Sequence, residues 1–187
     1  MFIQTESTPN PNTLKFLPGR EVMGESAVAD FPDQEAAARS PLASALFEIA
    51  DVSRVFFGSD FISVTKADGD WKHIKPPILA AIMDHFTQEL PLIEGDHAEA
   101  EDETVYGEGD PEIVAQIKEL LDTRVRPAVA NDGGDIIFKG FDGGSGIVFL
   151  HLRGSCAGCP SSTLTLKHGI ENMLRHYIPE VNAVEAV

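Results

Sequence analysis

Apolar and polar residues alternate along this chain with two different periods, and the changes of period mark out its elements. Residues 2–5 and 13–16 have the branched and aromatic content of short strands, and the turn-rich Thr8-Pro9-Asn10-Pro11-Asn12 lies between them. Ser40 followed by Pro41 is a cap and first-turn signal. Leu42, Leu46 and Ile49 then share one helical face, which predicts a helix over 41–50. Residues 52–57 and 61–65 read as strands of a hairpin turned by Gly58-Ser59-Asp60. After Pro76-Pro77, the spacing of Ile78, Ile82, Met83 and Phe86 predicts an amphipathic helix. Strand pairs alternating with helices make this segment α+β, with Phe47, Phe56, Phe57 and Trp71 as expected core.

Helical spacing resumes after Asp110-Pro111, another cap followed by proline, with Ile113, Ile117, Leu120 and Leu121 in register until Pro127 bends or ends the helix. Asn131-Asp132-Gly133-Gly134-Asp135 reads as a turn in preference to a cation loop. Strands are predicted over 136–141 and 147–152, linked by Asp142-Gly143-Gly144-Ser145. Leu166, Ile170, Met173, Leu174, Tyr177 and Ile178 then line one side of a helix, and 181–187 supplies a last strand. The order is α-β-β-α-β, a small open sheet. A unit of about 75 residues buries only a modest core, so a ligand or self-association is expected to add to its stability.

Between the two segments, nine acidic residues from Glu94 to Glu112 occur with three glycines and no Lys or Arg, the composition of a solvated tether. The expected architecture is therefore two small α/β-sandwich domains, 1–92 and 110–187, joined by an acidic flexible linker at 93–109. The net charge of −16 disfavours nucleic acid and anionic membranes as partners. No apolar run approaches the roughly 20 residues of a membrane span. The start of the chain lacks the basic region of a leader, and Met1 lies close to the first strand. Both suit a bacterial cytoplasmic protein, and equally a mature protein of the mitochondrial matrix.

Candidate chemistry lies in Arg153-Gly154-Ser155-Cys156-Ala157-Gly158-Cys159-Pro160-Ser161-Ser162-Thr163, which holds the only two cysteines. A strand precedes this stretch and a helix follows. Pro160 suits the first helical position and Cys159 the N-cap, so both sulfurs are expected at a helix N-terminus, where thiolate is favoured over thiol. Three chemistries remain open. A closed zinc site wants four ligands, so Cys156 and Cys159 would need His151, His168 or another chain. A dithiol redox centre needs only the pair. An iron–sulfur cluster wants four thiolates, half from each of two chains, which predicts a dimer. Gly154 and Gly158 let backbone approach a bulky inorganic core, and Ser155, Ser161 and Ser162 are candidate hydrogen-bond donors to its sulfides. Supporting or incidental roles are expected for His151 and His168, and ordinary surface or cap roles for His73, His85, His97 and His176.

The chain resembles the NifU-like (Nfu-type) iron–sulfur scaffold and carrier proteins over nearly its whole length. The resemblance rests on Thr8-Pro9-Asn10-Pro11-Asn12-Thr13-Leu14-Lys15-Phe16 and Val55-Phe56-Phe57-Gly58-Ser59-Asp60-Phe61 in the first segment. In the second it rests on Asn131-Asp132-Gly133-Gly134-Asp135 and on the stretch from Leu152 through the cysteine pair to Ser162. It implies a carrier, not an enzyme, that receives a [4Fe-4S] cluster, or a [2Fe-2S] cluster as the alternative. The cluster would bridge a homodimer through Cys156 and Cys159 and pass to recipient apoproteins after supply by upstream cluster-assembly proteins. Longer nitrogen-fixation relatives also have a separate assembly domain and a [2Fe-2S] domain with further cysteines, and neither is expected here.

Overall fold

Strand alternation in the first segment places every apolar side chain of one face opposite another. In the computed structural model, which describes residues 1–24, 27–94, 106–157 and 160–187 (backbone alone at 160–162), the chain divides into two units, Met1–Ala100 and Glu101–Val187. The first holds strands β1 (Gln4–Ser7), β2 (Thr13–Leu17), β3 (Ala29–Phe31), β4 (Val52–Phe57) and β5 (Ile62–Lys66), in the sheet order β1-β2-β5-β4-β3 with every pair antiparallel. Phe16 and Phe57 flank Ile62, Leu14 and Val55 flank Val64, and Phe31 lies opposite Val55. Helices α1 (Gln34–Ala37), α2 (Pro41–Phe47) and α3 (Trp71–Thr87) cover that layer with Leu42, Leu46, Ile74, Ile78 and Ile82.

Three details depart from the sequence reading. β3 and α1 were not expected, because elements of three and four residues are too short to show a period. Nor do Pro76 and Pro77 precede the second long helix; α3 begins earlier, at Trp71, where the Asp70 carboxylate accepts the Lys72 N–H at 2.9 Å. Both prolines are on the exposed face. The carbonyls they leave without a helical donor, those of Lys72 and His73, belong to exposed residues that water can serve. Finally, His85 is no surface residue. It shares the inward side of α3 with Ile78, Ile82 and Phe86, is only 4% exposed, and meets the Phe86 ring edge-on at 5.4 Å.

In the second unit, α4 (Pro111–Leu120), a π-helical turn (Leu121–Val125) and α5 (Arg126–Asn131) follow end to end. Pro127 sits in the first turn of α5, and the wide turn before it lets the Arg126 amide reach back to the Leu121 carbonyl. β6 (Gly134–Asp142) pairs antiparallel with β7 (Ile147–Gly154), and β7 pairs parallel with β8 (Ala183–Ala186). The parallel pair needs a crossover, which α6 (Pro160–Tyr177) provides. Ile117, Leu121 and Val129 meet Phe141, Val148 and Leu150 of the sheet and Ile170, Leu174 and Ile178 of or beside α6. The order α-β-β-α-β holds, with its first helix interrupted.

Most of the stretch read as a linker, 95–105, lies outside the described residues. Its ends are packed. Ile93 lies against the first core, and the Glu94 amide donates to the Arg39 carbonyl at 2.7 Å. The Tyr106 amide donates to Lys139 of β6 at 2.9 Å, and its ring lies 5.3 Å from that of Phe149.

Burial lowers the pKa of His85 below the ordinary 6.5, and among the described residues its Nε2 has no hydrogen-bond partner. The folded state thus prefers the neutral ring. That contribution to stability is complete above pH 6.5 and is lost as pH falls below it. Urea titrations of the wild-type chain and His85→Leu should diverge in pH dependence below pH 6.5, with the flatter profile in the variant. Parallel profiles would place the acid-sensitive group elsewhere.

Candidate functional site

The segment around Cys156 is built where the ends of two strands close on each other. Gly134 opens β6 opposite Gly154, which ends β7 with φ +65°, a left-handed conformation that suits glycine. The chain then turns back on itself. Ser155 N–H donates to the Gly133 carbonyl at 3.2 Å, the Ser155 hydroxyl donates to the Asp132 carbonyl, and Ala157 N–H donates to Gly154 O at 3.1 Å. Cys156 is thereby folded onto β6 so closely that a Cβ at position 134 would meet its Sγ at 2.7 Å and Arg153 O at 2.8 Å. From the helix side, the Thr163 hydroxyl donates to the Cys156 carbonyl at 2.8 Å.

The structure gives the Asn131–Asp135 stretch, read as a turn, a second task as the platform for the cysteine loop. Asp135 is also held in place. It is 4% exposed, and Arg126 grips both its carboxylate oxygens, Nε to Oδ1 at 2.9 Å and Nη2 to Oδ2 at 3.0 Å. That hydrogen bonding, working against burial, raises the Arg126 pKa. Asp132 faces the site through its backbone, and among the described residues no group of three or more His, Cys, Asp or Glu side chains could hold a metal ion.

α6 starts at Pro160 as expected, whereas Gly158 and Cys159, with the expected N-cap, lie outside the described residues. For Cys156 the expectation of a thiolate is overturned. It is 7% exposed, and burial pushes its thiol up to about 11; a Ser155 hydrogen bond opposes this, and the Asp132 and Asp135 carboxylates add to it. Ser155 is buried and its hydroxyl bonded to Asp132 O, so it ties the loop instead of facing outward as a sulfide donor. The side chains of Ser161 and Ser162 are outside the described residues. His151 does not approach the loop; its Nδ1 lies 2.8 Å from the Val187 carbonyl. His73, His168 and His176 are exposed, and His97 is outside the described residues.

Three contributors escaped the sequence reading. Gly134 was visible only as one of two turn glycines, Thr163 only as a residue of the first helical turn, and the Arg126–Asp135 pair joins a helix to a strand that no local pattern couples. An aspartate at the start of a strand signals that it will need a partner, and nothing local says which.

The thiol and its support are open to measurement. In the Cys159→Ser chain, the alkylation rate of Cys156 by iodoacetamide should keep rising with pH toward about 11; a plateau below 9.0 would mean a solvated or helix-stabilised thiolate. Because folding raises this pKa from 9.0, the thiol's contribution to stability is complete below 9.0 and is lost as pH climbs toward about 11. Gly134→Ala should cost about 1–3 kcal/mol in urea unfolding, the range of an overpacked site, and make Cys156 alkylate faster. Arg126→Ala should cost more than about 1 kcal/mol but less than the ~3–5 kcal/mol of a fully buried pair, since the Arg126 side chain is 33% exposed.

Two family models match the chain, "Scaffold protein Nfu/NifU N terminal" over residues 3–89 and "NifU-like domain" over residues 117–185. The human protein named "NFU1 iron-sulfur cluster scaffold homolog, mitochondrial" is 57% identical over 189 residues, covering 100% of this chain and 72% of its own length. The Arabidopsis thaliana "NifU-like protein 4, mitochondrial" is 56% identical over 186 residues, covering 99% of this chain and 65% of its own. This chain therefore spans about two thirds of the length of that relative. A solved structure of a NifU-like protein from Saccharomyces cerevisiae aligns with 51% of this chain and 87% of its own at 28% identity and a TM-score of 0.45. With both domains matched in order and relatives of this identity along its whole length, the chain belongs to the NifU-like (Nfu-type) family of iron–sulfur cluster scaffold proteins.

Proposed function

We propose that this chain carries a [4Fe-4S] cluster as cargo, held between two subunits by Cys156 and Cys159 of each, and hands it to apoproteins that require one. The observation that supports this best is a loop set by backbone hydrogen bonds around Cys156, with the chain's only other cysteine three positions on. Two thiols are half of the four a complete cluster takes, so the other half comes from a second chain. A buried thiol with a raised pKa is a poor nucleophile for disulfide exchange, whereas an iron ion can displace its proton on binding.

Transfer in this reading is ligand exchange. Incoming thiolates of the recipient replace the loop cysteines one at a time, and no bond is made on an organic substrate, so the chain acts as a carrier. The cluster belongs to the unit spanning 110–187. The unit spanning 1–92 is assigned to holding donors or recipients nearby, which raises effective concentration. The relatives' names place those proteins in mitochondria. For this chain we assign a reducing compartment that keeps both thiols available, the matrix for an organellar form and the cytoplasm for a bacterial one.

Anaerobic reconstitution with ferrous iron and sulfide tests the reading. The expected product is a brown dimer with about two irons per chain, against about one for a shared [2Fe-2S] cluster. Cys156→Ser and Cys159→Ala should each abolish cluster binding. Metal retained without visible absorbance would indicate zinc, and a colourless chain that turns over disulfides would indicate the redox dithiol; either result would sink the proposal.

A further inference from the structure

Gly134 is a glycine for a reason that its own backbone does not supply. It opens β6 without a left-handed φ, so a residue with a side chain could adopt its conformation. What a side chain could not do is fit. Its Cβ would lie 2.7 Å from the Cys156 Sγ and 3.2 Å from the Cys156 amide nitrogen. Glycine inside a strand weakens it and often marks a close approach, and here the approaching group is a sulfur. Cys156 is accordingly part of the buried core that holds Val129, Ile136 and Ile170.

That position conflicts with the cluster-bound state of the same residue. An iron shared with a second subunit has to be reached from outside the unit, and a buried sulfur resting on its own β6 is not. The turn that carries it is held from two sides. The Ser155 amide donates to the Gly133 carbonyl at 3.2 Å, and the Thr163 hydroxyl donates to the Cys156 carbonyl at 2.8 Å. The second bond joins the Cys156 peptide itself to the first turn of α6, so it opposes any turning of that peptide.

We propose that Cys156 works from two positions, stowed on Gly134 while the chain is empty and turned outward to the second subunit while it holds a cluster, with Thr163 as the latch of the stowed position. This rests on the shared-cluster reading above. Stowing lowers the affinity for the cluster, because the intrinsic dissociation constant is divided by the fraction of chains with the sulfur turned out; a sulfur out in about one chain in ten binds about tenfold more weakly. That loss suits a carrier. During transfer a thiol of the recipient gives up its proton and bonds to the iron, the iron–Cys156 bond breaks, and the Cys156 sulfur takes up a proton. No electrons are exchanged. The freed sulfur then returns to Gly134 and stops competing for the iron, which makes the exchange hard to reverse.

Filling the space over Gly134 tests this in the full chain, reconstituted anaerobically with ferrous iron and sulfide. Gly134→Ala should be less stable in urea and yet hold its cluster at least about threefold longer against excess EDTA, as loss of visible absorbance reports. A glycine needed only for folding predicts the opposite, a weakened chain that loses its cluster sooner. Val148→Ala, which thins the core at the far end of β7, supplies that comparison and should not lengthen retention. Thr163→Val should take up cluster at least about twofold faster than wild type and Thr163→Ser at the wild-type rate, and this pair decides the matter should Gly134→Ala not fold. Retention no longer than wild type in Gly134→Ala overturns the inference, as does wild-type uptake in Thr163→Val, and either result leaves the shared cluster standing. A wild-type chain that forms no coloured dimer overturns the shared-cluster reading first, and this inference with it.

Discussion

The second unit depends on position 134 having no side chain. Gly134 lies under the turn that carries Cys156, and a single methyl group there would occupy space already taken by a sulfur and by a backbone carbonyl. That contact lets Ser155 reach Gly133 and Asp132, which fixes the turn as far as Ala157. Thr163 then ties the loop to the helix from the other side. The stretch from Gly133 and Gly154 to Ala157 is therefore organised by backbone groups and by the Ser155 and Thr163 hydroxyls.

Two effects compete at Cys156, and their sizes decide its protonation. A helix N-terminus favours an anion by about 0.3–1 kcal/mol, and the field fades beyond the first turn. Pro160 opens α6 four positions after Cys156, and even the full value of that field is smaller than the opposing shift. The net rise from 9.0 to about 11, led by burial and helped by the Asp132 and Asp135 carboxylates, corresponds to roughly 2–3 kcal/mol against the thiolate. Dehydration wins, and the protein keeps a proton on this sulfur until something stronger than a dipole takes its place.

What could be read from the sequence follows from how local each feature is. Runs of branched and aromatic residues between turn signals foretold β2, β4, β5, β6 and β7, and four-residue spacing foretold α2, α4 and α6, because burial of one helix face imposes that period directly. The cysteine loop was legible for the same reason, its chemistry being written in consecutive residues. β3 and α1 are too short to have a period, and Pro76-Pro77 looked like a boundary because proline is costly in a helix unless solvent can serve the carbonyls it leaves open. His85 was read as a surface or cap residue, whereas its position in α3 makes it part of the core. Gly134, Thr163 and Arg126 act across register and tertiary packing, and no pattern of neighbours in sequence encodes which strand end will meet which turn.

The same separation of backbone order from sulfur chemistry bears on release. If cluster ligands also held the fold together, losing the cluster would unfold the domain, and each transfer would carry the cost of refolding. Here the core of Ile117, Val148, Leu150 and Leu174 and the hydrogen bonds through Ala157 are made by groups that do not ligate metal. A cluster divided between two such loops stabilises the pair of chains by mass action only while it is bound. In the proposed carrier, departure of the cluster removes that contribution alone and returns two folded chains, each with its loop still set for the next one.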